Sequence, residues 1–260
     1  MRFLVVAFVA GPLIRDYMNR DEGSKPDVRA GLNFASRAPC CVQRQDRRSQ
    51  MRINADFSKR AAVHFEDTEW VASPSAGVER KMLDRIGDEV ARATTIVRFA
   101  PGSAFAAHTH DGGEEYLVLD GVFQDETGDF PVGSYVRNPP TTSHTPSASE
   151  GATILVKLHQ FDPADRTEIR RSINDTGNVK LFQDAHEDVQ VQDWPAGEVI
   201  PLDATKGLEV FVVDGSFAES GEDFLAWDWL RLPPGTHSEA IVGEGGARVW
   251  MKSGHLGGLV

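Results

Sequence analysis

At 260 residues with 40% hydrophobic side chains, the chain is long enough for one large domain or for two, each burying its own core. Its formal net charge of −12 argues against a nucleic-acid partner, because binding a phosphate backbone depends on Lys and Arg replacing counterions. No stretch approaches the roughly 20 apolar residues of a spanning helix, so a membrane protein is not expected.

The first fifty residues stand apart in charge. They hold nine Lys and Arg against five Asp and Glu, whereas the remainder holds 18 against 34. That break, followed by Met51, predicts that residues 1–50 are a basic extension outside the fold, disordered or mis-assigned as coding sequence. Its opening, "MRFLVVAFVAG", has one arginine and a short apolar run, a weak likeness to a signal peptide that Pro12 and Arg15 cut short. Cys40 and Cys41 are adjacent and lie in this extension, so they cannot staple the body to itself. A reducing, cytoplasmic location is expected, with export left open.

Beyond the extension, residues 75–89 ("SAGVERKMLDRIGDE") have mixed character with some helical signal, and nothing else sustains a helical period. Strand signals dominate. Residues 94–99, 115–123, 133–140, 152–161, 208–217, 228–235 and 247–252 are short β-branched or aromatic runs separated by Gly, Pro, Asp and Ser turns. The expected fold class is all-β, a sandwich or barrel. Acidic stretches such as "HEDVQVQD" (186–193) read as solvated surface.

The chain also repeats itself. At an offset of 94, Glu115 falls on Glu209, Gly121 on Gly215, Phe123 on Phe217 and Phe130 on Phe224. The same offset places Tyr135 on Trp229, Arg137 on Arg231, and Pro139 and Pro140 on Pro233 and Pro234. Two copies of one all-β domain follow, spanning 51–165 and 166–260, with the aromatic positions read as core.

Polar chemistry concentrates in "HTHDGGEEYLVLDG", residues 108–121. Alternate strand residues share a face, so His108 and His110 point together, and the glycines after them let the chain return Glu114 to the same place. His144 follows the turn-rich "NPPTTS", where the chain can double back beside the first pair. Three imidazoles and a carboxylate suit one divalent transition metal per chain: Fe(II), Zn, Mn, Ni or Cu, without choosing among them. An isolated HxH is more often a pair of loop histidines; the glutamate, the third histidine and the flanking glycines favour a metal site.

These residues carry a resemblance to the cupins, small double-sheet jelly-roll barrels. Gly102, His108, His110, Glu114 and Gly121 fall on the family's first motif, G(x)5HxH(x)3-4E(x)6G. Gly133, Pro139 and His144 fall on the second, G(x)5PxG(x)2H(x)3N, with Thr141 in place of a glycine and Ala148 in place of an asparagine. Residues 108–146 further resemble the ChrR-like branch, which includes the cupin half of a zinc-containing anti-sigma factor and dioxygenase-like proteins. The resemblance extends over about residues 65–255. It implies two tandem cupin barrels and metal ligation by His108, His110, Glu114 and His144.

Glu114 is preferred over Glu115 as ligand, because Glu114 shares a face with Tyr116 and Val118; Glu115 becomes a neighbour that orients a ligand, or an alternative ligand. The second repeat reads "LDA" (202–204) in place of HTH and is expected to be a degenerate cupin with a structural job, with His237 a solvated turn residue. Arg137 and Arg231 recur together, which predicts that each ties a strand end to an acidic neighbour. His64, His159, His186 and His255 lack ligand-like spacing and are expected to be structural or superficial.

The resemblance implies one of two functions. One is a mononuclear dioxygenase acting on a small diketone or hydroxy-ketone, with no catalytic residue identified beyond the ligands. The other is a zinc cupin that senses or binds a small molecule or oxidant without turnover. The sigma-binding relatives carry an HxxxCxxC motif that residues 1–64 lack, so a sigma-factor partner is not expected. A homodimer paired through sheet edges is.

Overall fold

The computed structural model describes residues 50–258. The expectations for the extension, including its signal-like start and Cys40 and Cys41, lie outside the described residues. Those residues form strands and turns without a helix, and none of their elements is long and apolar enough to cross a membrane as a helix.

Two sheets repeat one plan. In the first, the order is Arg52–Ile53, Val78–Ile86, Arg92–Phe99, Ala152–Leu158, Glu114–Asp125, Ser134–Asn138 and Ile169–Ser172. In the second it is Val179–Gln183, Asp188–Trp194, Thr236–Ser253, Leu208–Glu219, Trp229–Leu232 and Ala61–Val63. Each ends on a strand drawn from ahead of the other repeat: Ile169–Ser172 pairs with Ser134–Asn138, and Ala61–Val63 with Trp229–Leu232. The expected boundary at 165/166 is therefore crossed in both directions.

Long strands close each barrel by serving two faces. Glu114–Asp125 pairs with Ala152–Leu158 and Ser134–Asn138 along its first half, then with Gly128–Pro131 beyond. The bend falls at Gly121, which has φ 69° and sits so close to Gly151 that a Cβ would lie 2.2 Å from its carbonyl oxygen. Gly215 repeats this at φ 78° against Gly246. Glycine is required at both places.

Alternation sorts the side chains into three layers. Tyr116, Val118, Phe123, Val136 and Val156 fill the first barrel. Val210, Val212, Phe217, Phe224 and Leu230 fill the second. Leu117, Tyr135, Leu155, Phe211, Trp229 and Trp250 form an apolar layer between the two sheets.

That layer encloses charges arranged with the symmetry of the repeat. Glu115 accepts from Tyr135 Oη at 2.7 Å and pairs with Lys252, while Glu209 accepts from Trp229 Nε1 at 3.3 Å and pairs with Lys157. Arg137 pairs with Asp165 and Glu187, and Arg231 with Asp84. The arginines thus tie strand ends to acidic neighbours, as their recurrence suggests. Buried ions of this kind are tolerated because each has a partner.

Two expectations need correction. The 75–89 segment contains the strand Val78–Ile86, where the buried Lys81 sets its Nζ over the rings of Phe65 and Trp70, so charged residues serve a strand. "HEDVQVQD" is surface only at His186 and Asp193. Asp188–Trp194 is a central strand with Val189 and Val191 fully buried, and Glu187 is buried against Lys252 and Arg137.

Candidate metal centre

The short strands His108–Thr109 and Ser143–His144 pair antiparallel, with His108 directly opposite His144. Backbone hydrogen bonds from His110 N to Thr142 O (2.9 Å) and from Thr141 N to His110 O (3.0 Å) extend the pairing around the turn. Thr141, where the family motif has glycine, takes φ 79° to make that turn. The three imidazole centroids lie 5.1, 4.9 and 4.6 Å apart. Glu114, at the start of the long strand, brings Oε2 to 3.3 Å from His110 Nε2 and 3.4 Å from His144 Nε2. One donor atom from each of the four residues lies within 4.8 Å of the others.

Tautomers follow from what the far side of each ring meets. His108 Nδ1 faces the carbonyl of Ala106 at 3.2 Å, and His144 Nδ1 faces Asp125 Oδ2 at 3.4 Å; both partners accept, so both ring nitrogens donate. His110 Nδ1 faces Thr142 Oγ1 at 2.9 Å, and that hydroxyl gives its own proton to the Pro139 carbonyl at 2.7 Å, so it too accepts from the ring. In all three, Nδ1 carries the proton and the Nε2 lone pair is free to bind a metal.

His110 Nε2 and His144 Nε2 are buried without any hydrogen-bond partner. Orphaned acceptors turned toward one another and a carboxylate are costly unless a cation sits among them. Burial lowers the His144 pKa, keeping its ring neutral. Burial raises the Glu114 pKa and positive charge on His110, His144 and His108 lowers it to about 2, so the carboxylate is held ionised when the cluster carries a proton or a cation in its place. The donor set fits a divalent ion with open positions for a ligand. A cavity of about 390 Å³ adjoins it, bounded on one side by His144 and Asn138. Asn138 Nδ2 also donates to Glu114 Oε2 at 3.3 Å.

The structure brings together the four predicted ligands and leaves Glu115 outside. Glu115 lies on the opposite face of its strand, held by Lys252 and Tyr135, and touches no ligand histidine. Sequence reasoning missed Thr142, Asp125 and Asn138, although Thr142 lies two residues before His144 and Asn138 is paired opposite Glu114.

The second barrel differs at every equivalent position. At the 94-residue offset, Leu202, Ala204, Leu208 and Ser238 replace His108, His110, Glu114 and His144, and the first three are buried in the apolar interior. Ser238 Oγ donates to Glu219 at 2.5 Å, where His144 donates to Asp125 in the first barrel. His237 is exposed near Asp203. Of the other histidines, His64 bridges Asp228 and Glu222, His255 is buried against Glu209, and His186 lies at the surface.

A jelly-roll barrel bearing three histidines and a glutamate at one end defines a cupin. Residues 58–162 match the family model of the ChrR cupin-like domain. The anti-sigma-E factor ChrR of Cereibacter sphaeroides is 34% identical over 130 residues, which are 50% of this chain and 57% of that protein. The chain thus spans little more than half of that relative's length.

Among solved structures, Ylba from Escherichia coli superposes with a TM-score of 0.61 at 12% identity, covering 82% of this chain and 97% of that one. The bacterial pirin YhhW from Escherichia coli, in complex with nickel(II), gives 0.56 at 14% identity, covering 75% and 98%. At these identities the likeness is one of fold.

Proposed function

We propose that the chain is a mononuclear metal dioxygenase acting on a small diketone or hydroxy-ketone. The observation that carries this reading is the convergence of three Nε2 lone pairs and the Glu114 carboxylate beside a cavity of ligand size. A bound divalent ion, Fe(II) for this chemistry, would polarise the carbonyl oxygens and serve as the electron conduit to dioxygen. The chain supplies the rest. Thr142, Asp125 and Ala106 fix the ring tautomers, Asn138 steadies Glu114, and Tyr116, Phe123 and Val136 keep water from the barrel side. A reducing, cytoplasmic setting and a homodimer complete the reading.

A second reading is a zinc cupin that binds or senses a small molecule or oxidant without turnover. It is favoured by the similarity to an anti-sigma factor and by the match of residues 58–162, which hold the site, to the ChrR cupin-like model. Metal analysis of protein purified without added metal, followed by oxygen uptake with a panel of 1,3-diketones and hydroxyacetophenones, separates the two. Iron with substrate-dependent oxygen consumption is expected. Tightly held zinc with no uptake, under iron loading as well, gives the second reading.

A further inference from the structure

The strand Ile169–Ser172 begins beyond the first repeat yet ends the first sheet, and its alternation decides which of its side chains enter that barrel. Ile169 packs into the apolar layer between the sheets, and Arg171 donates to the carbonyl of Lys180 in the second sheet. Arg170 therefore leaves the opposite face of the strand, on the first barrel's side, and is exposed where it lines the cavity. Register fixes its row: Arg170 is paired with Val136, and Val136 with Tyr116. One residue along, Asn138 is paired with Glu114. The cavity lined by Asn138 and His144 is also lined by the exposed Arg166, Glu168 and Arg170.

Two polar groups in this row have no side-chain hydrogen-bond partner. The Tyr116 hydroxyl is buried without a hydrogen-bond partner and lies behind the residues that line the cavity. Arg170, in contrast to Arg137 with its two carboxylates, reaches only the carbonyls of Arg137 and Ile169, at 3.3 and 3.0 Å. Phe130 joins the two, with its ring centroid 6.0 Å from that of Tyr116 and 5.9 Å from the Arg170 guanidinium.

The cavity's other charged groups are mostly engaged. Asp125 accepts from Thr127 and faces His144, Glu126 accepts from Thr145 N, and Arg166 donates to the carbonyls of Pro163 and Asp165. Glu168 stays exposed at the rim.

We infer that Arg170 and the Tyr116 hydroxyl receive a carboxylate at one end of the ligand whose carbonyl end reaches the histidine–glutamate cluster. The substrate class is then a small oxo-acid, not a neutral ketone. A guanidinium suits a carboxylate because its planar donors match the two oxygens. The inference rests on the metal-and-carbonyl reading above and adds the group that selects among carbonyl compounds.

The test uses the full chain loaded with cobalt(II), whose visible spectrum reports ligands arriving at the metal. Two probes share a 1,3-diketone head: 4,6-dioxoheptanoate carries a carboxylate tail, and heptane-2,4-dione does not. The acid is expected to bind about tenfold more tightly or better, the range of a charge-assisted contact. Arg170→Ala should abolish that preference and Tyr116→Phe, which keeps the ring and its packing, should shrink it, with affinity for the neutral dione unchanged in both. Equal affinity for the two probes, or a preference that survives both substitutions, overturns the inference and leaves the metal-and-carbonyl reading standing. A cobalt spectrum that neither probe alters overturns both.

Discussion

Proton placement decides what the His108, His110 and His144 rings can do. Each Nδ1–H is spent on an acceptor outside the cluster, which leaves three Nε2 lone pairs and one ionised carboxylate facing a common point. His144→Ala and His108→Ala should each lower the metal content of purified protein from about one ion per chain to near zero, with the β-sheet circular dichroism kept. Thr142→Val removes the acceptor that orients His110 without changing its size. We expect metal affinity to weaken by about 10- to 100-fold, read by competition with a chromophoric chelator. The cluster was legible because two-residue alternation and motif spacing are properties of the sequence itself. Alternation also separates Glu114 from Glu115, whose side chains leave opposite faces of one strand. The role of Thr142 was not legible, because it depends on a turn that brings residues 110 and 142 together across 32 positions.

Strands were predicted well where apolar residues alternate with neutral ones and poorly where charge intervenes. In Asp188–Trp194 the alternation of Val189 and Val191 was present, but the acidic residues around it disguised a central strand. Glu187 is buried only because Lys252 and Arg137 meet it, and those partners lie 65 and 50 positions away. The buried pairs Glu115–Lys252 and Glu209–Lys157 make the joint between the sheets sensitive to both mutation and pH. Glu209→Gln would leave Lys157 buried without its counter-ion, a loss of about 3–5 kcal/mol by denaturant unfolding.

Burial lowers the His255 pKa from 6.5 to about 4. The unfolded chain therefore takes up a proton near pH 6.5 that the folded chain refuses until about 4, so stability falls as pH drops through that window. Glu115 is held below its ordinary 4.5 because Lys252, Arg137 and Lys157 outweigh the effect of burial. Its contribution is in place above 4.5 and is lost as pH falls further. Urea midpoints measured from pH 7 to 4 should decline, and His255→Asn should flatten the upper part of that curve.

At the scale of the molecule, the two barrels share one apolar layer and exchange their last strands, so neither is complete without the other's sequence. A fragment of residues 51–165 would expose Leu117, Tyr135 and Leu155, leave Lys157 without Glu209, and lose Arg170 from the cavity. Expressed alone, it should be aggregated or metal-poor, and a soluble, metal-replete fragment would refute the account of the joint. The repeat was legible from the constant offset of its matches. The strand exchange was not, since Ala61–Val63 and Ile169–Ser172 are short and their partners are distant in sequence. Anomalous diffraction from crystals of the metal-loaded chain tests the central claim most directly. One ion per chain, bound by His108, His110, Glu114 and His144, with none in the second barrel, is the predicted result. A metal bound elsewhere, or these four side chains left without one under loading, would contradict it.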